Sequence, residues 1–217
     1  SKNICLAGGV ALNSVANKKL IDHSNFKNIF VFPACSDAGI PFGAALWGLF
    51  NLEKKVDKNQ VKFDNAYTGK NYTNESILEI LKKFKIKFSK TDENLIAKYI
   101  SQGKVIGRCA GRSEYGPRAL GNRSILADAR NSKMRNYLNK HIKHREMFRP
   151  FAPVVLEEKN KEYFDLDQPS PYMLLVAKSH KAKLIPSAIH VDKTARVQTV
   201  NRNQNSDLYN IIKKFYK

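Results

Sequence analysis

Cysteine is scarce in this chain and unpatterned. The three present, Cys5, Cys35 and Cys109, are odd in number and widely spaced, with no CxxC pair among them. That spacing supports neither a cysteine zinc site nor a disulfide framework. The apolar neighbours of each predict reduced, buried thiols. Long apolar runs are missing too. No stretch approaches the roughly 18–20 residues of a membrane span, and nothing resembles a signal peptide, so a cytoplasmic chain without membrane contact is expected. There are no internal repeats and no aromatic RNA-recognition motif. Acids are the largest deficit: 19 Asp and Glu stand against 38 Lys and Arg, a formal net charge of +19 in 217 residues. Hydrophobic residues still make up 42% of the chain, ample for a packed core, so the charge does not imply disorder.

The excess is uneven. Residues 1–60 carry a net +3, and residues 61–217 a net +16. Much of it is lysine, in stretches such as Lys82-Lys83-Phe84-Lys85-Ile86-Lys87, which reads equally as a lysine-rich background of AT-rich coding or as a binding face. The arginines differ, because eight of the ten fall between Arg108 and Arg149. From Lys104 to Arg149, twelve cations meet only Glu114, Asp128 and Glu146. Such a cluster repels itself unless something anionic sits within it. The planar guanidinium fork matches phosphate or carboxylate oxygens two at a time, so a phosphorylated ligand is predicted. The rival reading is a basic RNA-binding module, whose affinity would fall steeply with salt. A structural piece without activity of its own is a third.

Residues 1–60 alternate strand and helix. Asn3–Ala7 reads as a strand ending at Gly8-Gly9, followed by a helix with Leu12, Val15, Ala16 and Leu20 along one stripe. A second strand, Ile29–Phe32, leads to a small-residue helix from about Ile40 to Leu52. Opening on a core strand, the chain is expected to be a piece of a longer polypeptide. Residues 53–72 read as a linker or surface loop. Over 61–217 helical stripes appear at Ile77, Ile80, Leu81 and Phe84, at Leu95, Ile96, Tyr99 and Ile100, and at Met134, Tyr137, Leu138 and Ile142. Strands are expected at Lys104–Arg108, Ser124–Ala127, Pro153–Leu156, Tyr172–Ala177 and Ala195–Val200, and a last helix is expected with Ser206 as its cap. The fold class is α/β, an incomplete unit over 1–60 followed by a mixed domain over 61–217.

Five stretches could carry chemistry. Gly8-Gly9 between strand and helix suits close approach of a phosphate, or a tight turn with no ligand. Asp37 at a strand end suits a cation or a helix N-cap. The loop Glu114-Tyr115-Gly116-Pro117-Arg118-Ala119-Leu120-Gly121-Asn122-Arg123 sets two arginines on a constrained backbone. Lys143, Arg145 and Arg149 add cations on an aromatic and proline frame, and the alternative is a solvated loop paired with Glu114 and Glu146. His190 and Asp192, two apart before Arg196, suit either an acid–base pair or a surface hydrogen bond.

Taken in order, GGVALN at 8–13, SDAGIPFGAAL at 36–46, GRSEYGPRALGNRSILADAR at 111–130, REMFRPFAPVVLEE at 145–158, SPYML at 170–174 and HVDKTARVQTV at 190–200 resemble the NodU/CmcH family of O-carbamoyltransferases. The resemblance implies the end of an actin/Hsp70-like (ASKHA) transferase unit followed by most of a YrdC-like domain. It implies carbamoyl phosphate and ATP as substrates, carbamoyl adenylate as intermediate, and a hydroxyl-bearing small molecule or saccharide as acceptor. Carried over by motif, Gly8, Gly9 and Asn13 would contact nucleotide. Asp37 would be one ligand of a divalent metal, iron in the family, whose histidine ligands come from upstream sequence. Arg118, Arg123, Lys143, Arg145, Arg149, His190 and Arg196 would line the carbamoyl phosphate and adenylate pocket. Two departures stand out. Lys193 occupies a turn position where glycine or a small residue is expected, and the family's following TGxPVLxNTSFN segment is not in this sequence. Sheet edges left open by that segment would favour oligomers, including a homodimer, or disorder.

Overall fold

The computed structural model describes residues 1–53, 57 and 63–217. The expected boundary between residues 60 and 61 lies outside them. Strand β1 (Asn3–Leu6) pairs in parallel with β2 (Asn28–Val31), and α1 (Ser14–Asp22) crosses between them. Asn13 starts α1 by accepting the Val15 and Ala16 amides at 3.1 Å, so Gly9–Leu12 is a separate 3-10 turn rather than the first turn of the helix. The inward groups are also shifted from the expected stripe. Val15 faces solvent, and buried Asn17 donates to the carbonyls of Ala11 (2.8 Å) and Leu174 (2.9 Å), tying α1 to the distant chain. Helix α2 (Ile40–Leu52) follows as expected, yet none of its residues is buried.

The second part holds α3 (Asn74–Lys83), α4 (Glu93–Ser101), β3 (Ile106–Cys109), β4 (Arg123–Leu126), α5 (Met134–Leu138), β5 (Val154–Leu156), α6 (Asn160–Tyr163), β6 (Val176–Lys178), β7 (Thr194–Arg196), β8 (Gln198–Val200) and α7 (Ser206–Tyr216). Pairing is β3 antiparallel to β4, β5 parallel to β8, and β6 antiparallel to β7. The mixed α/β class is thus as expected. The run Ala195–Val200 is not one strand. It divides at fully buried Val197 into β7 and β8, which serve different sheets. Helix α5 continues as a π-helix, Asn139–Lys143, that ends at His144 with φ 47°. The cap of α7 is Asn205, whose Oδ1 accepts the Leu208 amide, rather than Ser206.

One core unites the two parts. Ile29, Val31 and Cys35 pack with Val155, Phe164, Leu174, Leu175, Ala195 and Val197. The free edge of β2 is partly closed by Gln168, whose amide accepts from Ile29 N–H (3.3 Å) and donates to Ile29 C=O (3.1 Å), as a neighbouring strand would. All three thiols are free, but only Cys35 is buried. Cys5 and Cys109 point outward from their strands, contrary to the burial expected from their neighbours.

Candidate functional site

The loop from Gly111 to Arg123 is built on backbone contacts rather than on ion pairs. One carboxylate oxygen of Glu114 accepts three main-chain amides, Leu120 (2.9 Å), Asn122 (2.8 Å) and Arg123 (3.1 Å). Glu114 takes part in none of the ion pairs among the described residues, so the alternative in which it neutralises an arginine does not hold. Arg108 reaches up from β3 and donates to Gly121 C=O (2.9 Å) and Asn122 Oδ1 (2.8 Å), with Asp207 of α7 at 3.5 Å.

Residues 63–72, expected to be a linker, form the floor of this loop. Tyr115 N–H donates to Ala66 C=O (2.7 Å), Gly69 N–H to Ser113 C=O (3.0 Å), and the Tyr67 hydroxyl to Leu120 C=O (2.8 Å). The first part of the chain meets the loop from the other side. Gly116, at φ +114°, lies so close to Pro33 that a β-carbon would sit 2.6 Å from its carbonyl oxygen. The Tyr115 hydroxyl donates to Ala38 C=O, and its ring edges onto Phe32, which stacks on Phe42 at 5.1 Å.

This frame sorts the seven expected pocket residues. Arg118, Arg145, Arg196 and His190 come together. The Arg196 guanidinium is pushed down to about 10, first by burial and then by the charges of Arg118 and Arg145. The Nε atoms of Arg118 and Arg196 are buried without a partner, and Arg118 makes only a long 3.5 Å bond to Leu12 C=O. Arg145 stacks on Phe151 at 4.7 Å and donates to Asn139 Oδ1 (2.8 Å). None of these three arginines has an acidic partner among the described residues. The other cations sit differently. Arg123 spends its guanidinium on the carbonyls of Ala110 (2.7 Å) and Gly111 (3.1 Å). Arg149 pairs with Glu146 at 2.9 Å, both exposed, and Lys143 is exposed without a side-chain partner among the described residues.

His190 and Asp192 do not touch each other directly. Thr194 stands between them, its hydroxyl 3.0 Å from His190 Nδ1 and donating to Asp192 Oδ1 at 2.7 Å. Burial, outweighing Asp192, holds the His190 imidazole below its ordinary value, with Arg196 adding to the effect. The motif showed the histidine and the acid. Thr194 was missed because a hydroxyl at this spacing carries no signal of its own.

Gly8 and Gly9 lie against the turn that carries Asp37. Gly8 N–H donates to Cys35 C=O (2.6 Å), and a β-carbon on Gly9 would lie 4.0 Å from that of Ser36. Asn13 commits its side-chain oxygen to capping α1. Asp37 is exposed at the start of a short 3-10 turn. No group of three His, Cys, Asp or Glu suited to a metal occurs among the described residues. These residues alone do not make a metal centre. Nor is any helix among the described residues long and apolar enough to cross a membrane.

Comparison with known proteins bears on this arrangement. Residues 1–46 match the family model described as carbamoyltransferase N-terminus, and residues 97–217 match carbamoyltransferase C-terminus. The chain is similar to nodulation protein NolNO of Sinorhizobium fredii, 41% identical over all of this chain and 33% of that protein. It is 40% identical to nodulation protein NolO of Bradyrhizobium diazoefficiens, over 99% of this chain and 40% of the relative. An uncharacterized protein of Synechocystis is 41% identical over 99% of this chain and 40% of its own length. The chain therefore spans 33–40% of the length of these curated relatives.

Proposed function

This chain belongs to the carbamoyltransferase family, and on that premise we propose that Arg118, Arg145 and Arg196 form the phosphate-binding pocket of an O-carbamoyltransferase. The observation that carries this reading is the unneutralised trio itself. The charges of Arg118 and Arg145 both act on Arg196, two of the three have buried, unpartnered Nε atoms, and Arg196 is held near 10 by burial and by these neighbours. Keeping such a group desolvated beside like charges opposes folding, and a bound phosphate dianion removes the opposition.

In the reaction we propose, water cleaves carbamoyl phosphate to carbamate and inorganic phosphate, and a carbamate oxygen then attacks the α-phosphorus of ATP with departure of pyrophosphate. The carbamoyl adenylate then gives its carbonyl carbon to an acceptor hydroxyl, releasing AMP. The trio would offset charge on the transferring phosphoryl oxygens. Glu114 and Arg108 fix the loop that carries Arg118, and burial of the pocket limits hydrolysis of the anhydride. Arg123 would act as part of that frame, while Lys143 and Arg149, at the exposed rim, would meet the outer phosphates of ATP. The Gly8-Gly9 and Asp37 turns would border a nucleotide and transfer site whose remaining groups come from other sequence. On this reading residues 1–60 belong to an actin/Hsp70-like unit and 61–217 to a YrdC-like domain. The acceptor is a hydroxyl-bearing small molecule or saccharide.

Thermal unfolding with and without carbamoyl phosphate tests the pocket. The ligand should raise the midpoint of the native chain and leave that of Arg118→Ala unchanged. Arg196→Met should unfold at a higher temperature than the native chain without ligand, because a desolvated charge is gone, and should gain nothing from ligand. A ligand-induced shift that survives both substitutions would refute the assignment.

A further inference from the structure

The hydrogen-bond order around Thr194 fixes which ring nitrogen of His190 carries the proton. Thr194 and Arg196 are two apart on β7 and share a face, while Ala195 between them is buried in the core. The Thr194 hydroxyl has a single hydrogen. Asp192 Oδ1 lies 2.7 Å from that hydroxyl and also accepts the Thr194 amide at 2.9 Å, and a carboxylate can only accept. The hydroxyl hydrogen therefore goes to Asp192. Facing His190 Nδ1 at 3.0 Å, the Thr194 oxygen must accept, so Nδ1 carries the imidazole proton. In the neutral ring Nε2 is left as a lone pair, and it makes no hydrogen bond among the described residues. Backbone bonds lock the turn: His190 N–H donates to Thr194 C=O (2.8 Å) and Lys193 N–H to His190 C=O (3.1 Å).

A bare side-chain acceptor near Arg196 is unusual, since the arginine side chains there can only donate. Phosphate offers only acceptors to it. The carbamoyl group offers an NH2, and the other acyl phosphates a cell contains, such as acetyl phosphate, offer a methyl group in the same place. We propose that His190 Nε2 accepts a hydrogen bond from the carbamoyl NH2, and that Asp192 and Thr194 act as positioning residues that hold the ring in the accepting tautomer. His190 is then the group that selects a carbamoyl over an acyl ligand. This rests on reading the arginine pocket as the carbamoyl phosphate site.

The test compares two stable phosphonates, phosphonoacetamide, which keeps the NH2, and acetonylphosphonate, which has a methyl group there. Binding of each to the 217-residue chain is measured by calorimetry. The native chain should prefer the amide by about tenfold, the worth of one well-placed hydrogen bond. Thr194→Val should bring the ratio to about one with affinity for acetonylphosphonate unchanged, His190→Leu should also lose the preference, and Thr194→Ser should restore it. Nitrogen-15 spectra of labelled histidine should show the Nδ1–H tautomer at His190 in the native chain and its loss in Thr194→Val. A preference that persists in Thr194→Val and His190→Leu overturns the proposal while leaving the pocket intact. If neither phosphonate nor inorganic phosphate binds the native chain, the pocket reading fails and takes this proposal with it.

Discussion

Glu114 does for the arginine loop what a short strand would do elsewhere: it gives three neighbouring amides a common acceptor. No repeating backbone pattern could satisfy Leu120, Asn122 and Arg123 at once, because Gly121 turns the chain between them. Removing the carboxylate leaves those amides to water or to nothing. Glu114→Ala should therefore cost about 2–3 kcal/mol in urea unfolding. Glu114→Gln, which keeps an sp2 oxygen in place, should cost about half as much, since bonds to a charged acceptor are roughly twice as strong as neutral ones. If the two variants proved equal, charge rather than amide acceptance would be the property that matters. Lys193 is the opposite case, a residue in an unsuitable conformation. Its φ of 65° is where glycine is at home, in keeping with the small residue expected at this turn. The lysine holds the left-handed turn that sets Thr194 against His190.

At the scale of elements, the loop is clamped by α7 as well as by its own bonds. Gly121 sits at φ +117°, and a β-carbon there would come within 2.3 Å of Leu208 Cδ2, on the buried face of α7. Gly121→Ala should loosen that contact and cost about 2–4 kcal/mol, combining backbone strain with overpacking. Amide hydrogen exchange should locate the loss in α7 and β3, and protection that changed only within the loop would contradict the clamp. Periodic elements were legible in the sequence, with α2, α3, α4 and α7 close to their expected places. Irregular backbone was not. Residues 63–72 carry no periodicity, yet Ala66 is fully buried and its carbonyl holds Tyr115. The break at Val197 was hidden because Ala195, Val197 and Val200 along 195–200 read as one continuous strand. At the site, residue type announced the arginines but not how each is spent. Arg118 and Arg123 are alike on the same loop, and only the folded chain shows one with a buried, unpartnered Nε and the other bonded to carbonyls.

For the molecule as a whole, two surface properties oppose each other. The net charge of +19 repels a second copy at long range. At short range the chain offers exposed apolar side chains on two helices, Ile40, Trp47 and Leu52 of α2, and Ile77, Leu78 and Ile80 of α3, with Phe84 just beyond. Exposed apolar surface of this kind favours association once copies can approach. Salt decides which property wins, because the Debye length falls from about 30 Å at 0.01 M to about 3 Å at 1 M while apolar contact is left intact. Self-association should accordingly increase with salt. Sedimentation velocity is expected to show one slow boundary at low ionic strength and faster species near 1 M sodium chloride. Introducing Trp47→Glu and Ile80→Glu together should keep the slow boundary at both. Association that instead dissolves as salt rises would mean that copies meet through their charges, with the arginine loop of one chain and acids of another as the first contacts to examine.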